Sequence, residues 1–162
     1  MARAKHELQH NDATISTLLS AVAVEAEMAY LFSKWKGIDS GKVPADQTSE
    51  DRKAWEGEWA NMRLIGKRLD ELSRLLTSKP FDEFAHLKVG LLGPALTGWN
   101  PCTSIKDLFQ EQLFDKRNDI AHYGKIDFQV EDGKRSLTLA TTLLKLLNAM
   151  DVKRYDLTFP KK

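Results

Sequence analysis

One stretch of this chain gathers side chains that move protons and hold anions: Asp115-Lys116-Arg117-Asn118-Asp119-Ile120-Ala121-His122. An imidazole titrates near neutral pH, so His122 can serve as a base or an acid. A guanidinium stays charged and presents paired N–H donors, so Arg117 suits an oxyanion with two exposed oxygens. Asn118 lies about one helical turn before His122, where an amide can orient an imidazole. Asp115 or Asp119 nearby would stabilise the imidazolium form.

Position on a helix sharpens this picture. Projected at about 100° per residue, Glu111, Asp115, Asn118 and His122 share one stripe, with Asp119 at its edge. Ile105, Phe109, Leu113 and Ile120 fall on another side and are expected to face a core. Arg117 and His122 are five residues apart, about 140° around an ideal helix, and so do not share a face. Their convergence requires a local bulge, an arginine that curls round, or a second copy of the chain.

The run Arg117-Asn118-Asp119-Ile120-Ala121-His122 resembles the motif of the HEPN superfamily (higher eukaryotes and prokaryotes nucleotide-binding). In that family an Arg, often followed by Asn, Asp or His, precedes a His by four to six intervening residues. The motif lies late in an all-helical chain, at a helix end, before one more amphipathic helix, as it does here. The resemblance implies an all-α, antiparallel four- to five-helix bundle acting as a twofold homodimer. It also implies a metal-independent endoribonuclease that needs no cofactor, with Arg117, His122 and Asn118 as catalytic residues and RNA as partner. Such a reaction needs a base for the 2′-hydroxyl, an acid for the 5′-oxygen and positive charge on the phosphate. Asn118 would position the histidine or a ribose hydroxyl. Toxin–antitoxin, defence or stress roles, and an antitoxin or regulatory protein as a further partner, follow from the same resemblance. The alternative is a non-catalytic HEPN-type module that binds RNA or protein. One subset of the family has a Tyr two residues after the His; here that position is Gly124, with Tyr123 adjacent, so regulation through that tyrosine is not carried over.

Other side chains compete for attention. Arg63, Lys67 and Arg74 align on one side of the second long segment and could track an RNA backbone. Trp99, in a Gly/Pro-rich loop, is expected to fold back over the helices rather than stack on a base. Glu25 and Glu27 interrupt an apolar region, and one of them could anchor Arg117. Glu83-x-x-His86 and Asp119-x-x-His122 have the spacing of carboxylate–histidine metal ligands, but their order along the chain does not match a di-metal bundle, and no metal is expected. His6, His10 and His86 are expected on the surface. Cys102 is the only cysteine, which excludes an intramolecular disulfide, and is read as structural.

The elements that must carry these groups follow from apolar periodicity. A first helix is expected from about Asp12 to Trp35, with Ile15, Leu18, Leu19, Val22, Ala26, Ala29 and Tyr30 on one stripe, broken by Gly37, Gly41 and Pro44. A second opens at Thr48 or Ser49 with Asp51 as a capping-box acid and runs to Lys79-Pro80, its stripe Trp55, Met62, Ile65, Leu69, Leu72 and Leu76. A shorter helix follows from about Asp82 to Leu91. Another, capped by Thr103 or Ser104, runs from Ile105 to Tyr123 and stops at Gly124 in a left-handed C-cap. Residues 126–139 read either as a hairpin turning at Asp132-Gly133 or as the start of a helix from Val130 to Met150; the helix is favoured. Residues 1–152 form one domain in this reading, and 153–162 a tail.

The 162 residues carry 24 Lys+Arg against 23 Asp+Glu, a formal charge of +1, which excludes a partner held by bulk charge. The most apolar stretch, Ile15 to Val24, is about half a membrane span. A soluble, cytoplasmic protein without membrane contact is expected.

Overall fold

A computed structural model describes residues 1–10, 12–42, 46–100 and 103–160, and the readings of Pro44 and Cys102 lie outside them. Among the described residues the chain is all-α, with no strand. The elements are α1 (Ala2–Gln9), α2 (Ala13–Asp39), α3 (Ser49–Asn61), α4 (Ile65–Thr77), α5 (Phe81–Leu87), α6 (Val89–Leu92), a 3-10 turn (Gly93–Leu96), α7 (Ile105–Phe109), a π-helical turn (Gln110–Asp115), α8 (Lys116–Tyr123) and α9 (Val130–Thr158).

The two long helices, α2 and α9, form the spine. They run parallel, not antiparallel. At one end Gly133 meets Ala13, where a β-carbon would come within 3.2 Å of the Ala13 Cα. At the other, Asp151 takes both Lys34 Nζ (2.8 and 2.9 Å) and Trp35 Nε1 (2.5 Å). Short loops force antiparallel packing only on sequence neighbours, and α2 and α9 are separated by the whole middle of the chain. Trp35, Met28, Leu31, Leu143 and Leu146 are fully buried along this contact. Each such side chain contributes roughly 1.5–3 kcal/mol relative to exposure.

The sequence stripe on α2 is not the buried one. Ser16, Thr17, Ser20, Ala21, Val24, Met28, Leu31, Phe32 and Trp35 face inward, whereas Ile15, Val22 and Tyr30 are exposed. The helix is apolar on both sides, so periodicity alone selects the greasier face, while the larger aromatic anchors Phe32 and Trp35 fix the other one inward. By length and composition α2 could cross a membrane, with a mean hydropathy of 1.4, but 44% of that stretch is buried inside the fold.

The expected second helix is divided. The capping box forms as read, with Asp51 N donating to Thr48 Oγ1 (3.2 Å) and Thr48 N to Asp51 Oδ2 (3.0 Å). Lys42 and Thr48 beside it hold the Asp51 carboxyl down at about 2. The chain then breaks at Met62–Leu64, where Arg68 Nε takes the freed Met62 carbonyl at 2.7 Å. On one continuous helix Trp59 would sit about 100° from the Ile65–Leu76 stripe. The break re-aims α3 so that Trp59 packs on Phe32, ring centroids 5.0 Å apart.

The hairpin alternative is absent among the described residues: Gln129 and Asp132 form a capping box that starts α9, and Gly133 lies in its first turn. The tail also departs from expectation. Helix α9 continues to Thr158, because Arg154 reaches Asp39 and lies over the Trp35 ring, and Lys153 lies over Phe84. Helix α1 buries Ala4 and packs on α2 and α9. His6, His10 and His86 are exposed, and Trp99 packs half-buried against the core.

Candidate active site

Ser104 caps α7 by accepting from Asp107 N (2.9 Å), and Gly124, at φ 63°, ends α8 in the left-handed region. Between them the helix widens into the π turn at Gln110–Asp115. A π turn holds an extra residue, which lets the adjacent Leu113 and Phe114 both enter the core and resets the phase of everything after it. Arg135 braces this turn, donating to Gln112 Oε1 (2.8 Å) and to the Ala95 carbonyl (2.8 Å). Its partial burial pushes the guanidinium pKa down from its ordinary value.

The start of α7 is fixed by two carboxylates. Asp82 accepts from Lys106 N (2.8 Å), and Asp70 from Lys106 Nζ (2.7 Å) and Phe81 N (3.0 Å). Burial pushes the Asp70 carboxyl up, but Lys106 and the Phe81 N–H outweigh it and hold it below the ordinary range. The same pairing raises the Lys106 ammonium. At the far end Lys116 pairs with Asp132 and pins α8 to α9, holding the Asp132 carboxyl low.

Thus positioned, α8 forms one wall of a cleft of about 530 Å³, with the break before α4 as the opposite wall and Glu25 of α2 at its edge. Arg117, Asn118 and His122 all line it, as do Arg63, Arg68 and Asp115. The stretch of α8 between Arg117 and His122 is regular helix, so of the three routes to convergence a bulge between them is absent; the π turn lies upstream of both and re-aims the two together. Arg117 Nη1 donates to Asn118 Oδ1 (2.9 Å) and Nη2 to Glu25 Oε2 (3.2 Å). Glu25, rather than Glu27, is therefore the α2 acid that reaches the motif. Arg117 Nε is buried without a hydrogen-bond partner in the described structure. Such a donor costs stability until an acceptor reaches it.

His122 is exposed and makes no hydrogen bond or ion pair with the described residues. Neither expected carboxylate supports it: Asp115 accepts from Gln110 Nε2 (2.5 Å), and Asp119 pairs with Lys125 (3.7 Å). The expected basic track is also split. Arg63 sits in the helix break and lines the cleft, whereas Lys67 and Arg74 stay on the α4 surface, Arg74 beside Glu71 at 3.5 Å. Arg68, missed by the sequence reading, joins the cleft after its Nε has taken the Met62 carbonyl and its guanidinium has settled over Trp59. The signal that could have found it is the i, i+5 pair Arg63/Arg68 bracketing an unrecognised break. The carboxylate–histidine pairs on α5 and α8 gather no third metal-ligand side chain among the described residues.

The arrangement offers three guanidiniums, an amide and an imidazole without a hydrogen-bond partner among the described residues around an open hollow. That set can bind a phosphate and move a proton beside it. Compared with protein-family models, curated proteins and solved structures, the chain finds no match.

Proposed function

We propose that this protein is a cytoplasmic, metal-independent endoribonuclease of HEPN type, working as a homodimer. The observation that carries the reading is the convergence of Arg117, Asn118 and His122 on one arginine-lined cleft, with an unpartnered Arg117 Nε beside it. The scissile phosphate binds Arg117, whose buried donor it satisfies. A base removes the proton from the 2′-oxygen, which attacks phosphorus; the P–O5′ bond breaks and an acid protonates the leaving oxygen. The products are a 2′,3′-cyclic phosphate and a free 5′-hydroxyl. His122 fills one proton-transfer role and its counterpart from a second chain fills the other. Asn118 holds the arginine and orients the ribose. Toxin, defence or stress roles, with an antitoxin or regulatory protein as partner, belong to the same proposal.

The test is incubation of purified protein with RNA in EDTA beside Arg117→Ala and His122→Ala. Acid–base and oxyanion contributions of this kind are each worth about 10²–10⁴ in rate, so cleavage should vanish in both variants. Cleavage unchanged in both removes these residues from the chemistry. RNA retention without cleavage by the wild type favours the binding-module alternative.

A further inference from the structure

The outward side of α2 has no counterpart in the fold. From Ile15 to Tyr30 it shows Ile15, Leu18, Leu19, Val22, Ala26 and Tyr30, with no charge among them. Ile15 and Val22 are 41% and 42% exposed and Tyr30 is 60% exposed, while the opposite side of the same helix is core. A helix apolar all round is stable in water only when both sides are covered.

We propose that a second copy of this chain covers it, the two α2 helices pairing antiparallel about a twofold axis that crosses between Leu19 and Val22. The proposal builds on the dimer in the functional reading above and names its surface; it does not depend on the chemistry. The spacing 15, 19, 22, 26 is a four-three-four seam, the repeat by which two helices interlock. Bulk falls along it, from Ile15, Leu19 and Val22 to Ala26. Antiparallel pairing therefore sets Ile15 against the partner subunit's Ala26, whereas parallel pairing would oppose bulk to bulk and gap to gap. The two helices overlap over residues 13–28 of each, about 24 Å. Exposed Tyr123 and Ile126, the latter tied to α2 by Thr14 Oγ1 donating to its carbonyl (3.0 Å), widen the surface toward the roughly 800 Å² per partner of a stable dimer. Charge argues against a lipid surface as the occupant. Glu25 and Glu27 flank the stripe where anionic headgroups require Lys or Arg. A twofold axis perpendicular to the pair keeps both α8 helices on one face of the dimer, so one RNA strand can meet both clefts.

Light scattering on the full chain across a dilution series should give twice the 18.4 kDa chain mass. Val22→Glu should give the single-chain mass with unchanged helical circular dichroism. In a Cys102→Ser background, Ile15→Cys mixed with Ala26→Cys should form an interchain disulfide, which decides the matter should Val22→Glu fail to fold. A wild type at single-chain mass throughout overturns the seam, as do a folded Val22→Glu that stays dimeric, an absent cross-link, or a monomer that co-sediments with anionic phospholipid vesicles. None of these readouts uses RNA. A monomer that cleaves RNA sinks the seam and the sharing of two histidines but leaves Arg117 and His122 as the site of cleavage, and a dimer that does not cleave sinks only the ribonuclease.

Discussion

Helix α8 separates two hollows of opposite character. On one side three arginines meet two carboxylates, Glu25 and Asp115, around about 530 Å³. On the other, five carboxylates (Glu111, Asp115, Asp119, Asp127 and Asp132) meet two lysines around about 380 Å³. The lysines of the acidic side are already engaged, Lys116 with Asp132 and Lys125 with Asp119. Those pairs hold the helix and its following loop in place. On the basic side Arg63 has no ion-pair partner among the described residues, and Arg117 keeps a spare donor. The same short helix thus carries an electropositive hollow on one face and an electronegative one on the other, a polarity that under the proposed ribonuclease function would orient an RNA strand without a large net charge.

The comparison breaks most visibly at its charged centres. Arg117→Ala should lower RNA cleavage by about 10²-fold or more, while Lys125→Ala on the acidic side should leave the rate within about threefold, since exposed pairs of this kind contribute little. Equal losses in a gel-based cleavage assay would show that the two sides do not differ in function. A smaller effect is expected at the cleft mouth. Arg63→Ala should weaken RNA binding about three- to tenfold and reduce the slope of log affinity against log salt by about 0.7, the loss of one phosphate contact to a single strand. An unchanged slope in fluorescence anisotropy would take Arg63 off the RNA path.

The smallest effect sharpens the mechanical reading of the acidic side. Asp132 is held below its ordinary pKa, so its pairing with Lys116 contributes fully above the unfolded value of about 3.9 and is lost as pH falls through the lower folded value. Asp70 follows the same course. Lys106, with its pKa raised, contributes below its unfolded value of about 10.4 and is lost only as pH rises through the folded one. Asp132→Asn should therefore lower Tm by about 2–4 °C at pH 7, and the gap to wild type should narrow as pH falls below about 3.9. A gap that stays constant with pH would mean the pair does not pin the helix.

Much of the molecule was readable from the residues. The Thr48/Asp51 box, the Ser104 cap and the Gly124 stop depend on one or two neighbours and form as expected. So does the Ile65–Leu76 stripe, where one face is apolar and the other is not. What was not readable depended on the tertiary structure. An α2 with apolar residues on two sides gives periodicity little to discriminate, and the packing of Trp59 on Phe32 follows a break in a helix whose local signals run straight through. At the site, the types and their clustering were legible, but the supports expected from Asp115 and Asp119 were not, because each carboxylate found a nearer partner in Gln110 and Lys125.

The wide turn at Gln110–Asp115 makes chain length, rather than composition, the guardian of this polarity. Removing any one residue there would let the segment from Ile105 to Tyr123 run as an uninterrupted α-helix, rotating all that follows by about 100°. Arg117 would swing off the arginine side although every functional residue was still present. A protein with intact helicity, an intact motif and no correctly aimed guanidinium would result, so a gap at this point in an alignment of related chains would mark those that have lost the cleft.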